Sequence, residues 1–352
     1  MIRRCALSAA VSMIVATVSM AQGAGERLFY YVDRADSYNS LVKHIDQITV
    51  VAPQVYVLDS LGIMWGSLDR RVVDLAKKHG VKIMPLFTNE GFQQAGLHKL
   101  LGDTVAQRRS IESMVALCKE NNYWGIQFDV ENINISDRDR FTKWYTQSAN
   151  ALHKAGCKIS VAVVHKTEDG AGPTAYGRFM QDSWRGGYDI AALARAGDFI
   201  SLMTYSEHTR RTTPGPVAGL PWTREAMEYF LRFVPPEKLS LGIPTYGGHW
   251  FTREVSGTDR ASSTNESVSW SWGSGLAERN NAVIQWDAVQ QVPFASYMIG
   301  GINEWLFLED VRAFKAKLDL VKEKKLRGFS VWVLGPEDER IWDLLKSEGP
   351  AR

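Results

Sequence analysis

Trp124-Gly125-Ile126-Gln127-Phe128-Asp129-Val130-Glu131 alternates three apolar residues with three polar ones. Side chains two apart on a strand share a face. Gln127, Asp129 and Glu131 therefore point one way, and Ile126, Phe128 and Val130 the other. An apolar face suits a layer of helices. A face with two carboxylates and an amide suits the inside of a closed barrel, with Glu131 nearest the upper mouth. Burying such groups costs free energy unless they are paired or used. The structural alternative is a hydrogen-bonded cluster or ion pair.

Working outward, seven further runs rich in Val, Ile, Phe and Tyr accompany the stretch Gly125–Glu131. They are Leu28–Val32, Gln47–Leu58, Lys82–Phe87, Lys158–Val164, Phe199–Tyr205, Leu239–Tyr246 and Gly328–Leu334. They are mostly unbroken, as strands buried on both faces of a parallel sheet should be. Amphipathic helix patterns lie between them: Arg70–His79, closed by Gly80, then Val105–Asn121, Asp137–Ala155, Tyr188–Ala196, Thr223–Phe233 and Leu308–Lys324. Eight strands alternating with helices predict an α/β fold, a (βα)8 TIM barrel, over residues 25–348. The Gly- and Thr-rich loop His165–Gly177 and the loop Glu207–Leu220 follow the fifth and sixth strands. Both belong on the face where such barrels carry their active sites. The stretch 248–301 is too long for a plain connection. It reads as a small β-rich α+β insertion after strand seven, with strand-like pieces at Ser267–Trp272 and Ala282–Asp287.

Composition narrows the function. A formal net charge of +2 and the lack of a basic block argue against nucleic-acid binding. Arg3 and Arg4 precede a small-residue apolar stretch from Ala6 to Met20. A small-x-small site at Ser19 and Ala21 follows, with Ala24 as a second candidate. Residues 1–21 thus read as a signal peptide, cleaved at 21 or as late as 24. The expected location is secreted or periplasmic, with no membrane span in the mature chain. Cys118 and Cys157 either pair in an oxidising compartment or remain two separate buried thiols. No Cys or His spacing marks a metal site, and no cofactor is expected.

The carboxylates carry the chemistry. Two close carboxylates oppose joint ionisation, so one pKa should rise, which suits a general acid. Glu131 is placed to be that acid. An ordinary glycosidase sets its two carboxylates on opposite sides of the scissile bond. Asp129 and Glu131 are two residue rises apart, roughly 7 Å, and approach from one side. Asp129 must help differently. Substrate assistance meets that condition: the sugar's 2-acetamido oxygen attacks the anomeric carbon while the Asp holds the acetamido N–H.

The stretch Gly125–Glu131 resembles the Asp-Gly-x-Asp-x-Asp-x-Glu signature of glycoside hydrolase family 18. The resemblance puts Glu131 on the family's acid and Asp129 on its acetamido-orienting Asp. Leu202-Met203-Thr204-Tyr205 resembles the strand-six motif, whose Tyr binds the acetamido oxygen. Leu241–Gly247 resembles the strand-seven motif, which includes Tyr246. Gly328–Trp332 resembles strand eight, whose Trp forms the floor of the sugar site, and Tyr30 matches a strand-one Tyr. The YaaH-like, spore-cortex-lytic branch is similar in Pro85–Asn89, Tyr188–Leu193, Leu308–Asp310 and Val331–Gly335. The resemblance spans roughly residues 28–345. Three positions depart from it. Trp124 replaces the first Asp, and Ser206 follows Tyr205 where an acid is common, with Glu207 one place on. Gln127 replaces the middle Asp, and an amide cannot take a proton from Asp129.

The resemblance implies a retaining, substrate-assisted hydrolase of β-1,4-linked N-acetylglucosamine glycans, peptidoglycan ahead of chitin. Glu131, Asp129 and Tyr205 are the expected catalytic residues. Gln127, Trp332, Tyr30, Asn89 and Tyr246 are the expected substrate contacts. Asn89 reads equally as a loop cap, and Tyr246 also as a brace for the insertion. Trp222, Trp250, Trp270 and Trp272 are candidates for stacking on distal sugars, and Arg210 and Arg211 read as a solvated loop face. The expected partner is an N-acetylated glycan, and the expected state is a monomer. The alternative function is a non-catalytic, lectin-like member of the same fold.

Overall fold

A computed structural model of the chain describes residues 25–254 and 261–350, so the leader expected at residues 1–21 or 1–24 lies outside the described residues. Eight parallel strands close on themselves: β1 (Glu26–Tyr31), β2 (Val50–Leu58), β3 (Leu86–Asn89), β4 (Gly125–Asp129), β5 (Lys158–Val164), β6 (Phe199–Met203), β7 (Leu239–Pro244) and β8 (Gly328–Trp332). Each pairs with the next, and β1 pairs with both β2 and β8, which completes the expected TIM barrel.

The strand ends repay inspection. The third run comes in two pieces: Lys82–Ile83 pairs with the start of β2 before β3 begins. Pro85 has no N–H to donate to the ladder, though its carbonyl still accepts from the Gln127 N–H at 3.0 Å. In β2 the register slips between Gln54 and Tyr56, a bulge of the kind that re-aims a side chain. Strand β4 ends at Asp129, short of the expected Glu131, because the Glu131 backbone bonds to a side chain instead of a neighbouring strand.

Helices lie between the strands as the apolar periodicity requires. Arg70–His79 is bounded by Asp69, whose side chain accepts from the Arg71 N–H, and by Gly80 at φ +68°. Thr104–Glu120, Arg138–Lys154, Ile190–Ala196, Leu220–Leu231 and Val311–Glu323 follow. Two start later than periodicity alone predicts, because Asp189 and Asp310 cap them. The outward face of β4 does what its pattern demands: Phe128 packs on Phe87, Trp144 and Tyr145. Cys118 and Cys157 form a disulfide, and the chain between them contains the whole of β4.

Between β7 and β8 the chain builds a five-stranded antiparallel sheet, in the order 261–268, 247–254, 302–307, 292–299 and 285–287. The piece expected as a strand from Ser267 to Trp272 divides. Its strand stops at Val268, and a helix starts at Trp270 because the Ser269 hydroxyl accepts from the Trp272 N–H. No helix among the described residues is long and apolar enough to cross a membrane.

Candidate active site

The inward face of β4 builds the site from the bottom up. Gln127 is fully buried at the lowest level, and its Nε2 donates to Ser160 Oγ at 2.9 Å and Ser201 Oγ at 3.1 Å. Ser330 donates to Ser201 at 3.0 Å, and Ser240 and Ser330 meet at 2.6 Å. An amide and four serines from β4 to β8 thus make a closed polar layer across the barrel. Gln127 does not line the cleft, although it was expected to contact substrate. It belongs to the floor under Asp129, and its Oε1 is buried without a hydrogen-bond partner. No proton acceptor of carboxylate type stands below Asp129 on the strand.

Asp129 lies one level higher, 5% exposed, and its Oδ2 accepts from Gln54 Nε2 at 3.2 Å. Gln54 was not singled out in the sequence. Its signal there was its place in the second strand, two and four residues after the inward-facing Ala52 and Val50. Burial raises the Asp129 carboxyl above the ordinary range, and the Gln54 amide opposes that rise.

Glu131 is half-buried at the mouth. Its carboxyl is raised further, first by burial and then by the Asp129 charge beside it. Its backbone is held on both sides. Asn89 Nδ2 donates to the Glu131 carbonyl at 3.1 Å, and the Glu131 N–H donates to Asn89 Oδ1 at 3.0 Å. Asn89 is 4% exposed and does not line the cleft, so its role is to fix Glu131. The chain on either side is tied as well. The Tyr188 hydroxyl donates to the Val130 carbonyl at 2.8 Å, and Asn132, at φ +55°, donates to the Phe92 carbonyl at 2.9 Å. A carboxyl on backbone held this firmly is pre-organised.

Above these carboxyls opens a cleft of about 570 Å³. Asp129, Glu131, Tyr30, Tyr205, Tyr246 and Trp332 all line it, so the structure brings together six of the eight residues expected there. Tyr30 and Trp332 lean on each other with ring centroids 5.3 Å apart. The Tyr205 hydroxyl is held protonated by burial and by the nearby Tyr30 and Asp129, which leaves it a hydrogen-bond donor. Thr245 braces the far side: it donates to the Val333 carbonyl at 2.6 Å and accepts from the Val333 N–H at 2.9 Å.

A second wall comes from the connections after β5 and β6. Arg185, Arg210 and Arg211 line the cleft from it, as do Trp184 and Met180, while Phe92 lines it from the turn after β3; none of these was marked as a site residue in the sequence. Glu207 also reaches the cleft, but its Oε2 accepts from the Gly219 N–H at 2.6 Å. The four candidate stacking tryptophans stand elsewhere. Trp222 packs edge-on against His165, and Trp250 is buried in the insertion. Trp270 and Trp272 carry Arg340 and Arg279 over their faces.

The chain is 25% identical to the uncharacterized glycosylase YvbX of Bacillus subtilis over 346 residues, which are 97% of this chain and 96% of that protein. It is 29% identical to the cortical fragment-lytic enzyme of the same organism over 278 residues, 78% of this chain and 62% of that enzyme. A chitinase from Chromobacterium violaceum superposes with a TM-score of 0.81 at 25% identity, covering 92% of this chain and 99% of the chitinase. Residues 27–337, from β1 through β8 and including Asp129 and Glu131, match the glycosyl hydrolases family 18, and the chain is a glycosidase belonging to that family.

Proposed function

We propose that the protein hydrolyses β-1,4-linked N-acetylglucosamine glycans with retention, through substrate assistance. One observation carries this reading. Asp129 at the end of β4 and Glu131 just beyond it, both raised by burial, serve the cleft from the same side. The remaining carboxylate on the cleft, Glu207, is tied to a backbone N–H. The pair therefore lacks an opposed nucleophile, and the acetamido oxygen of the substrate takes that part.

In the first step Glu131, protonated, gives its proton to the glycosidic oxygen as the bond to the anomeric carbon breaks. The acetamido carbonyl oxygen closes on that carbon to form an oxazolinium ion. Asp129 accepts the acetamido N–H and balances the positive charge. Tyr205 donates its hydroxyl to the acetamido oxygen, and Trp332 supports the ring face. In the second step Glu131, now ionised, takes a proton from water as the water oxygen opens the oxazolinium ring, and the starting protonation is restored. Gln127 keeps the floor polar and closed. The leader read at residues 1–21 would deliver the enzyme to the periplasm or outside the cell.

The relatives support the substrate class, since one is named for cortical fragment lysis and another for chitin. Release of 4-methylumbelliferone from a chitooligosaccharide conjugate by wild type, and its loss in Glu131→Gln, is the expected result. Binding without release at every pH would turn the reading toward a lectin. Inversion at the anomeric carbon, read by NMR of the first product, would overturn substrate assistance while leaving hydrolysis intact.

A further inference from the structure

The loop wall of the cleft holds three guanidinium groups. Arg185 stands at the end of the turn after β5, and Arg210 and Arg211 are in the loop after β6. Among the described residues, none of the three lies within ion-pair distance of a carboxylate. Arginines elsewhere commonly do: Arg224 reaches Glu323 at 2.8 Å, and Arg340 reaches Asp338 at 2.6 Å. Glu168 is close enough to affect Arg185 electrostatically but is not paired with it.

Arg185 is placed with care. Its Nη2 donates to His165 Nε2 at 3.0 Å, and its Nε is buried without a partner. Burial and the Arg185 charge push His165 down to about 3, so the imidazole stays neutral and accepts. Arg211 lies 5.9 Å from the ring of Phe179 on the short helix Ala175–Met180. Across the cleft, burial keeps Glu131 mainly protonated, and Asp129 bonds to Gln54, not to any of the three arginines.

A neutral N-acetylated polymer offers these guanidiniums only uncharged hydroxyl and carbonyl acceptors. A carboxylate returns bidentate, charge-assisted hydrogen bonds. We infer that Arg185, Arg210 and Arg211 form an anion site in the cleft, and that the preferred substrate is an N-acetylated glycan bearing a sugar-borne carboxylate beside the cleaved bond. This inference rests on the proposed hydrolysis and names the substrate class within it. The matching chemistry is a strand of N-acetylhexosamines in which every second ring bears an ether-linked carboxylic acid. Arg210 and Arg211 are exposed or nearly so and gather the charge. Arg185, fixed by His165, sets its register.

The test uses peptide-free strands of that acidic glycan, the same strands with the carboxylates converted to methylamides, and strands that retain their peptide stems. At low ionic strength the wild-type enzyme should favour the acidic strand over its amide by about tenfold in kcat/KM, chiefly through KM. The advantage should shrink as salt rises. Within the Arg210→Gln/Arg211→Gln protein the same ratio should fall to about one, and Arg210→Lys/Arg211→Lys should recover part of it. A wild-type ratio near one overturns the inference, as does a ratio unchanged by the double Gln variant. An advantage confined to peptide-bearing strands overturns the assignment to the sugar. Equal cleavage of acidic and amidated strands sinks this inference alone. Failure to cleave either strand or the fluorogenic chitooligosaccharide removes the hydrolase reading as well.

Discussion

The two walls of the cleft are built by different means. The β4 wall rises from a strand inside a closed barrel. Its carboxyls are buried or half-buried, and its last residues are tied by Asn89, Tyr188 and Phe92. The opposite wall rises from two loops, and only Arg185 among its three arginines bonds to another side chain, His165. A proton must be delivered within tenths of an ångström, which a strand can guarantee. A charge attracts across several ångströms and tolerates motion, so a loop can carry it. On the proposed mechanism and the inferred anion site, the difference would separate chemistry, on the rigid wall, from recognition, on the adaptable one.

The sharpest break in that comparison is Glu131→Gln. It should lower kcat by about 10²–10⁴ while the far-ultraviolet circular dichroism stays unchanged. The same variant should raise the melting temperature above neutral pH. A carboxyl whose folded pKa is raised adds stability below its unfolded pKa and loses it as pH climbs through the folded value, and Gln has nothing to lose. A melting temperature that falls at pH 9 would contradict the burial cause.

Asp129→Asn should lower kcat by about 10², less than loss of the acid itself. It should also move the alkaline limb of the kcat profile to lower pH. Glu131 must be protonated to act, the Asp129 charge helps to keep it so, and removing that charge lowers its pKa. An alkaline limb that stays in place would separate the two groups electrically.

Asn89→Ala tests rigidity without altering charge. It should cost about tenfold in kcat, with both limbs of the pH profile unmoved, because only the backbone of Glu131 is released. A shifted limb would mean that Asn89 acts on the carboxyl itself. The smallest effect on activity should come from Cys118→Ala/Cys157→Ala. That pair encloses β4 from outside the barrel, and its loss should lower stability by about 2–4 kcal/mol in urea unfolding with kcat nearly constant at 25 °C.

Much of this arrangement was legible in the linear chain. The alternation in residues 124–131 announced which side chains turn inward, because period two is a property of any strand. The helix Arg70–His79 was legible to the residue, because Asp69 and Gly80 fix its ends locally. The segment after Val268 was misread because Trp and Ser in alternation look like a strand, while a single serine cap is enough to start a helix. Arg210 and Arg211 are exposed, as the loop reading expects, but nothing near them in sequence reveals that they line the cleft.

The sequence by itself determined the barrel, the inward face of β4 and the identity of its two carboxylates, since each follows from local periodicity and short-range capping. Tertiary structure alone decided that Gln127 joins a buried chain of serines, that Gln54 reaches Asp129 from two strands away, and that Asn89 holds Glu131. Those contacts join residues 33 to 75 positions apart, and a distance in space at that separation is set by barrel closure, which no local pattern encodes.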